Sequence, residues 1–101
     1  MPMLMNVRFP VGPFNAAVRD GSAGKKNQRI MEAIKPDAAY SNASDGRRGG
    51  LLVVTVNDPT DIPRLAEPFF LTFDADVTFE PFMTAEELGL AGLDSLGQEW
   101  G

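Results

Sequence analysis

GLLVVTV, residues 50 to 56, is apolar on both faces of the strand it encodes: Leu52, Val54 and Val56 alternate with Leu51, Val53 and Thr55. Side chains of a strand point alternately to opposite faces, so this run predicts a strand covered on both sides. A chain of 101 residues builds one domain of few layers, and covering both faces of its sheet takes most of what it has.

Immediately upstream, DGRRGG (residues 45 to 50) predicts a hairpin. Asp45 and Gly46 both tolerate positive φ, and Gly49 and Gly50 permit a bulge or a wider loop before the buried run. Arg47 and Arg48 then fall at the solvated tip. An anion clamp there needs a converging third donor or a helix N-terminus, and neither is evident. DAAYSNA, residues 37 to 43, supplies the weak partner strand, because alanine and serine are poor strand formers.

The flanking segments complete the pattern. MLMNVRF, residues 3 to 9, places Met3, Met5, Val7 and Phe9 on a dry face and Leu4, Asn6 and Arg8 on the other, and Pro10, Gly12 and Pro13 end it. A short helical turn in FNAAVRD precedes a helix over 23–35, capped by Ser22 and stopped by Pro36, whose stripe of Ala23, Asn27, Ile30, Met31 and Ile34 has Asn27 as its only polar member. Asp58 and Pro59 open a second helix, with Pro68 predicting a kink or break near Glu67. ADVTFEPF, residues 75 to 82, alternates cleanly as the fourth strand. Thr84 and Glu87 form a capping box before a leucine- and glycine-rich tail, which is expected to fold back onto something.

Composition excludes several chemistries. There is no cysteine and no histidine, which removes disulfides, thiolate nucleophiles, thiolate metal ligands and the commonest general base. No cofactor and no metal site are expected, and no carboxylate spacing resembles a calcium loop. GSAGKK, residues 21 to 26, lacks the phosphate-loop pattern, since no Ser or Thr follows the lysine. The net charge of −5 is split, with eight Lys or Arg against four acids in residues 1–50, and ten acids against Arg64 in residues 51–101. An overall acidic chain disfavours nucleic acid as a partner. No apolar run is long enough to cross a membrane and no secretory signal opens the chain, so a cytoplasmic protein is the expectation.

The order strand, helix, strand, strand, helix, strand, helix predicts an α+β fold: a single ferredoxin-like βαββαβ domain over residues 1–101, with a four-stranded antiparallel sheet and a C-terminal helix. Its helices cover one sheet face. The third strand is apolar on both faces, so whichever face is left open carries Leu or Val side chains with Met and Phe beside them; a second copy is the economical cover, and a homodimer through the sheet faces is predicted. RFPVGPFNAAVRDG, IKPDAAY, DGRRGGLLVV and DPTDIPRLAEPFFLTFDADVTFEPFMTAEELG together resemble small bacterial proteins of the dimeric α+β barrel superfamily, over nearly the whole chain. The succession from LLVVTVNDP to DADVTFEPF is more loosely similar to muconolactone isomerases. Such a resemblance implies a fold shared by isomerases, cofactor-free monooxygenases, haem enzymes and ligand sensors, and it fixes no activity. Members that depend on histidine are excluded as models.

With the first and fourth strands adjacent, Asn6 and Arg8 approach Asp76, Thr78 and Glu80, and Tyr40 offers a hydroxyl from the second strand. Two readings stay open. Arg8 and Glu80 make a cross-strand or intersubunit ion pair and nothing more. Alternatively, Asn6, Arg8, Tyr40 and Thr78 orient a small ligand, with Arg8 holding an anionic or enolate oxygen and Glu80 or Asp76 as base. The functional expectation is a homodimeric small-molecule-binding or interaction protein, its ligand site between sheet and helices; the alternative is a cofactor-independent isomerase or monooxygenase acting on a small anionic or enolisable substrate.

Overall fold

The computed structural model describes residues 1–101. The elements run β1 (Pro2–Arg8), α1 (Val11–Arg19), α2 (Ala23–Ile34), β2 (Ala38–Ser44), β3 (Arg47–Thr55), α3 (Asp61–Phe73), β4 (Asp76–Pro81), α4 (Ala85–Gly89) and α5 (Leu93–Trp100). The four strands form one antiparallel sheet in the order β2-β3-β1-β4, the ferredoxin-like arrangement with β3 and β1 in the centre.

Register assigns the faces, because directly opposed residues share one. Met3, Met5 and Val7 lie opposite Val54, Leu52 and Gly50, and together with Ile30, Ile34, Leu65, Phe69 and Phe73 of α2 and α3 they make the core. Phe9, Phe14 and Phe73 close one end of it, with ring centroids 4.6 to 5.1 Å apart. The opposite face presents Leu4, Asn6 and Arg8 beside Val53, Leu51 and Gly49, and no helix of the chain lies over it. No helix of the chain is long and apolar enough to cross a membrane.

Six expectations are corrected. The hairpin tip is Asp45-Gly46 alone, with φ of 53° and 72°, so β3 begins at Arg47 and both arginines belong to the ladder. Gly49 and Gly50 make no bulge; they stay in register between β1 and β2. Close approach explains Gly49: a Cβ there would stand 2.6 Å from the Val7 carbonyl oxygen and 2.8 Å from Asn42 Oδ1. Ser22 makes no side-chain cap, its amide donating instead to Asp20 Oδ1 at 2.8 Å. The α3 helix runs unbroken through Pro68, and its N-terminal carboxylate is Asp61, which accepts from the amides of Asn57 and Asp58 at 3.0 and 3.2 Å. Asp58 is turned to Thr60.

The sixth concerns the tail. The capping box forms, Thr84 Oγ1 accepting from the Glu87 amide and Glu87 Oε1 from the Thr84 amide, both at 3.0 Å. Yet every residue from Pro81 to Gly101 is exposed, and the tail does not fold back. The molecule is 60 Å long by 28 and 19 Å. Its radius of gyration is 17.2 Å, against about 13 Å for a compact chain of this length.

Candidate functional site

A cleft opens between α2 and the β2–β3 end of the sheet, and the cause is local composition. On the helix-facing side, β2 offers Ala39 and Ser41 opposite Leu52 and Gly50, so the sheet surface beneath α2 is almost stripped of side chains. Two hollows of about 140 and 300 Å³ share Phe9, Asn27, Ser41 and Gly49 and so form one continuous cleft. Its floor is apolar, made by Val7, Leu52, Met31 and Phe69. Its wider end is edged by Phe14, Asn42 and Arg48. Arg48 is held in place there: Nη1 donates to Asn15 Oδ1 at 2.7 Å, and the guanidinium lies 5.1 Å from the centroid of Phe14. An apolar slot with a few polar groups and a cation at its edge suits a small, partly apolar molecule with hydroxyl, carbonyl or anionic oxygens.

Of the residues singled out from sequence, Tyr40 is among those lining the inner cleft, and four others gather on the helix-free face. Asn6, Arg8, Asp76 and Thr78 line one hollow of about 100 Å³, because Asn6 lies opposite Thr78 and Arg8 opposite Asp76. Glu80 is not among them. It lies opposite Leu4, four residues along the strand from the Arg8 row, a separation of about 13 Å. The cross-strand Arg8–Glu80 ion pair is therefore absent: Arg8 Nη1 meets Asp45 at 3.0 Å, Nη2 donates to Ser44 Oγ at 3.1 Å, and Nε is buried without a partner in the chain. Tyr40 is separated from Asn6 by Leu51 of β3 and is 63% exposed, so its hydroxyl does not join this group. Asp76 is engaged by Arg47, which reaches it at 3.3 Å through Nη2 while Nε donates to the Phe9 carbonyl at 3.2 Å.

Three carboxyls are held below their ordinary value, all outside these hollows. Asp20 is lowered by its contact with Ser22, whose amide donates to Oδ1 at 2.8 Å, Asp58 by the Thr60 amide, and Asp61 by the amides of Asn57 and Asp58. All three serve turns and helix starts. No group of three or more acids is placed to hold a metal ion.

The inner cleft was signalled by Asn27, the one polar residue on the apolar stripe of α2. Ser41 and Arg48 carried no such signal, because their role depends on which face of β2 and β3 turns toward α2.

No protein-family model matches the chain, and no curated protein matches it. Among solved structures it is similar to the 5-chloro-2-hydroxyhydroquinone dehydrochlorinase of Burkholderia phenoliruptrix in complex with 2,5-dihydroxybenzoquinone. The TM-score is 0.62 at 14% identity, over 86% of this chain and 98% of that one. At that identity the likeness establishes the fold alone, a ferredoxin-like α+β fold with one four-stranded antiparallel sheet. It lends nothing to the looser resemblance to muconolactone isomerases.

Proposed function

We propose that the protein is a homodimer, paired through the helix-free sheet faces, that binds a small molecule in the cleft between α2 and the sheet. The observation that carries the ligand site is the bared strip of sheet at Ser41 and Gly50, roofed by Asn27 and edged by Arg48. Pairing is supported by Leu4, Leu51 and Val53, which form an apolar patch on a face that the chain's own tail leaves uncovered. The solved neighbour acts on a chlorinated hydroxyhydroquinone and was captured with a hydroxylated quinone, which makes 2,5-dihydroxybenzoquinone a reasonable first probe. In a heteronuclear NMR titration with that compound and related hydroxylated aromatics, the amides of Asn27, Ser41 and Gly50 are expected to shift first. Shifts confined to other surfaces, or none with any member of the panel, would contradict the cleft reading.

A second reading, a cofactor-independent isomerase or monooxygenase, draws on the outer hollow. Its support is the buried, unpartnered Nε of Arg8 among Asn6, Asp76 and Thr78. Here Arg8 holds an enolate or carboxylate oxygen and Asp76, freed from Arg47, takes the proton. This reading expects proton exchange at an enolisable carbon that Arg8→Gln abolishes while the fold is kept.

A further inference from the structure

Residues 82–101 form an arm with the properties of half an interface. Leu90 and Trp100 are 85% and 80% exposed, and Phe82, Met83, Leu88, Leu93 and Leu96 are exposed with them. On α5, Leu93, Leu96 and Trp100 follow at i, i+3 and i+7 and therefore share one face. Short isolated helices are marginal in water, so the capping box and the amphipathic pattern imply a surface on which the arm rests. The total accessible surface is 6902 Å² for 10.9 kDa, whereas a compact monomer of that mass exposes about 5,600 Å². The excess, about 1,300 Å², exceeds the ~800 Å² that each partner buries in an interface of ordinary size.

A matching surface lies on the far side of the molecule from the open sheet face. Between α2 and α3 runs a groove of about 430 Å³, walled by Arg29, Ala33, Pro63, Arg64, Pro68 and Leu71, with Glu67 its only acid. Leu71 is 81% exposed there. The α2 helix adds Lys25 and Lys26 against Glu32 alone. The arm carries Glu86, Glu87, Asp94 and Glu99 and no base. Sheets packed face to face stand about 10 Å apart and a helix is about 10–12 Å across, so in a molecule 60 Å long the arm can reach a partner's helix layer.

We propose that the arm of one copy lies across the α2–α3 groove of a second copy, with the Leu93–Leu96–Trp100 face on Leu71 and the prolines and with its acids toward Arg29 and Arg64. This rests on the homodimer proposed above, and adds to it a reciprocal exchange of arms. Trp100 is the only tryptophan, so its fluorescence reports the arm alone.

The experiment combines light scattering with acrylamide quenching of Trp100 on the full chain and on an Arg29→Glu/Arg64→Glu variant, whose substitutions lie on exposed positions. A dimer with a blue-shifted Trp100, several-fold less quenchable than free indole and released in the variant, is the expected result. A dimer with a solvated Trp100 would overturn arm exchange and leave sheet pairing standing. A monomer would overturn both. Protection unchanged in the variant would place the arm elsewhere and also overturn it. To separate exchange from folding back, Leu96→Cys and Leu71→Cys chains are mixed under oxidising conditions: a disulfide joining the two different chains is expected, and its absence, with an intrachain bond in the double variant, would defeat the proposal.

Discussion

Arg48 of β3 and Asn15 of α1 are joined by a 2.7 Å hydrogen bond from Nη1 to Oδ1, with the same guanidinium lying 5.1 Å from the centroid of the Phe14 ring. A residue that reads as part of a hairpin tip thus pins a helix to the sheet at the wide end of the cleft. Arg48→Ala is expected to destabilise by about 1 kcal/mol, the range for one hydrogen bond and a partly exposed cation–π contact. Hydrogen exchange should accelerate in α1 more than in α3; equal acceleration in both would show that Arg48 does not anchor α1 specifically.

The paired glycines separate structure from binding. At Gly49 a Cβ meets backbone at 2.6 Å, so Gly49→Ala forces β1 and β3 apart and should cost more than ~2 kcal/mol in urea unfolding. At Gly50 the nearest atoms would be 3.4 Å away, and the methyl would enter the cleft. Gly50→Ala should change stability by less than ~1 kcal/mol while weakening any ligand of the cleft.

Phe69 is 1% exposed and faces both the core and the cleft floor. Phe69→Ala should cost ~3–5 kcal/mol, much of the ~5–15 kcal/mol total of a typical domain. Thermal unfolding that retains most of its cooperativity and midpoint would contradict the placement of Phe69 at the centre of the core.

Asp61 sets an acid limb. Its carboxyl is lowered from 3.8 by the amides of Asn57 and Asp58, then by Arg64. A group whose folded pKa is depressed stabilises fully above its unfolded value and loses that contribution as pH falls through the folded one. The stability difference between the protein and Asp61→Asn should therefore be constant at neutral pH and shrink toward zero as pH drops below 3.8. Urea midpoints across that range test this; a difference that persists in strong acid would mean the side chain acts through packing.

What the sequence reveals follows from how local each cause is. The alternation in Met3–Phe9 and the doubly apolar Leu51–Val56 determine strands and faces by period alone, and the capping box at Thr84 is a four-residue motif complete in itself. Asp58 and Asp61 are equally good candidates to start α3, and only the path of the preceding turn decides between them. The length of the hairpin loop was hidden because Asp45-Gly46 is a complete two-residue turn, while the glycines after the arginines answer to close approach in the ladder. Glu80 alternates onto the same face as Arg8, but its distance along the strand depends on register, which alternation does not give. The apolar side of the arm calls for a cover, but sequence does not say which surface provides it; here the cover proposed is another copy.

Mass in solution tests that account most directly. Light scattering at micromolar concentration should give twice 10.9 kDa for the protein and 10.9 kDa for Val53→Glu, which places a charge at the centre of the helix-free sheet face. A monomeric parent protein, or a Val53→Glu chain that remains a full dimer, would show that this sheet face is not where two copies meet.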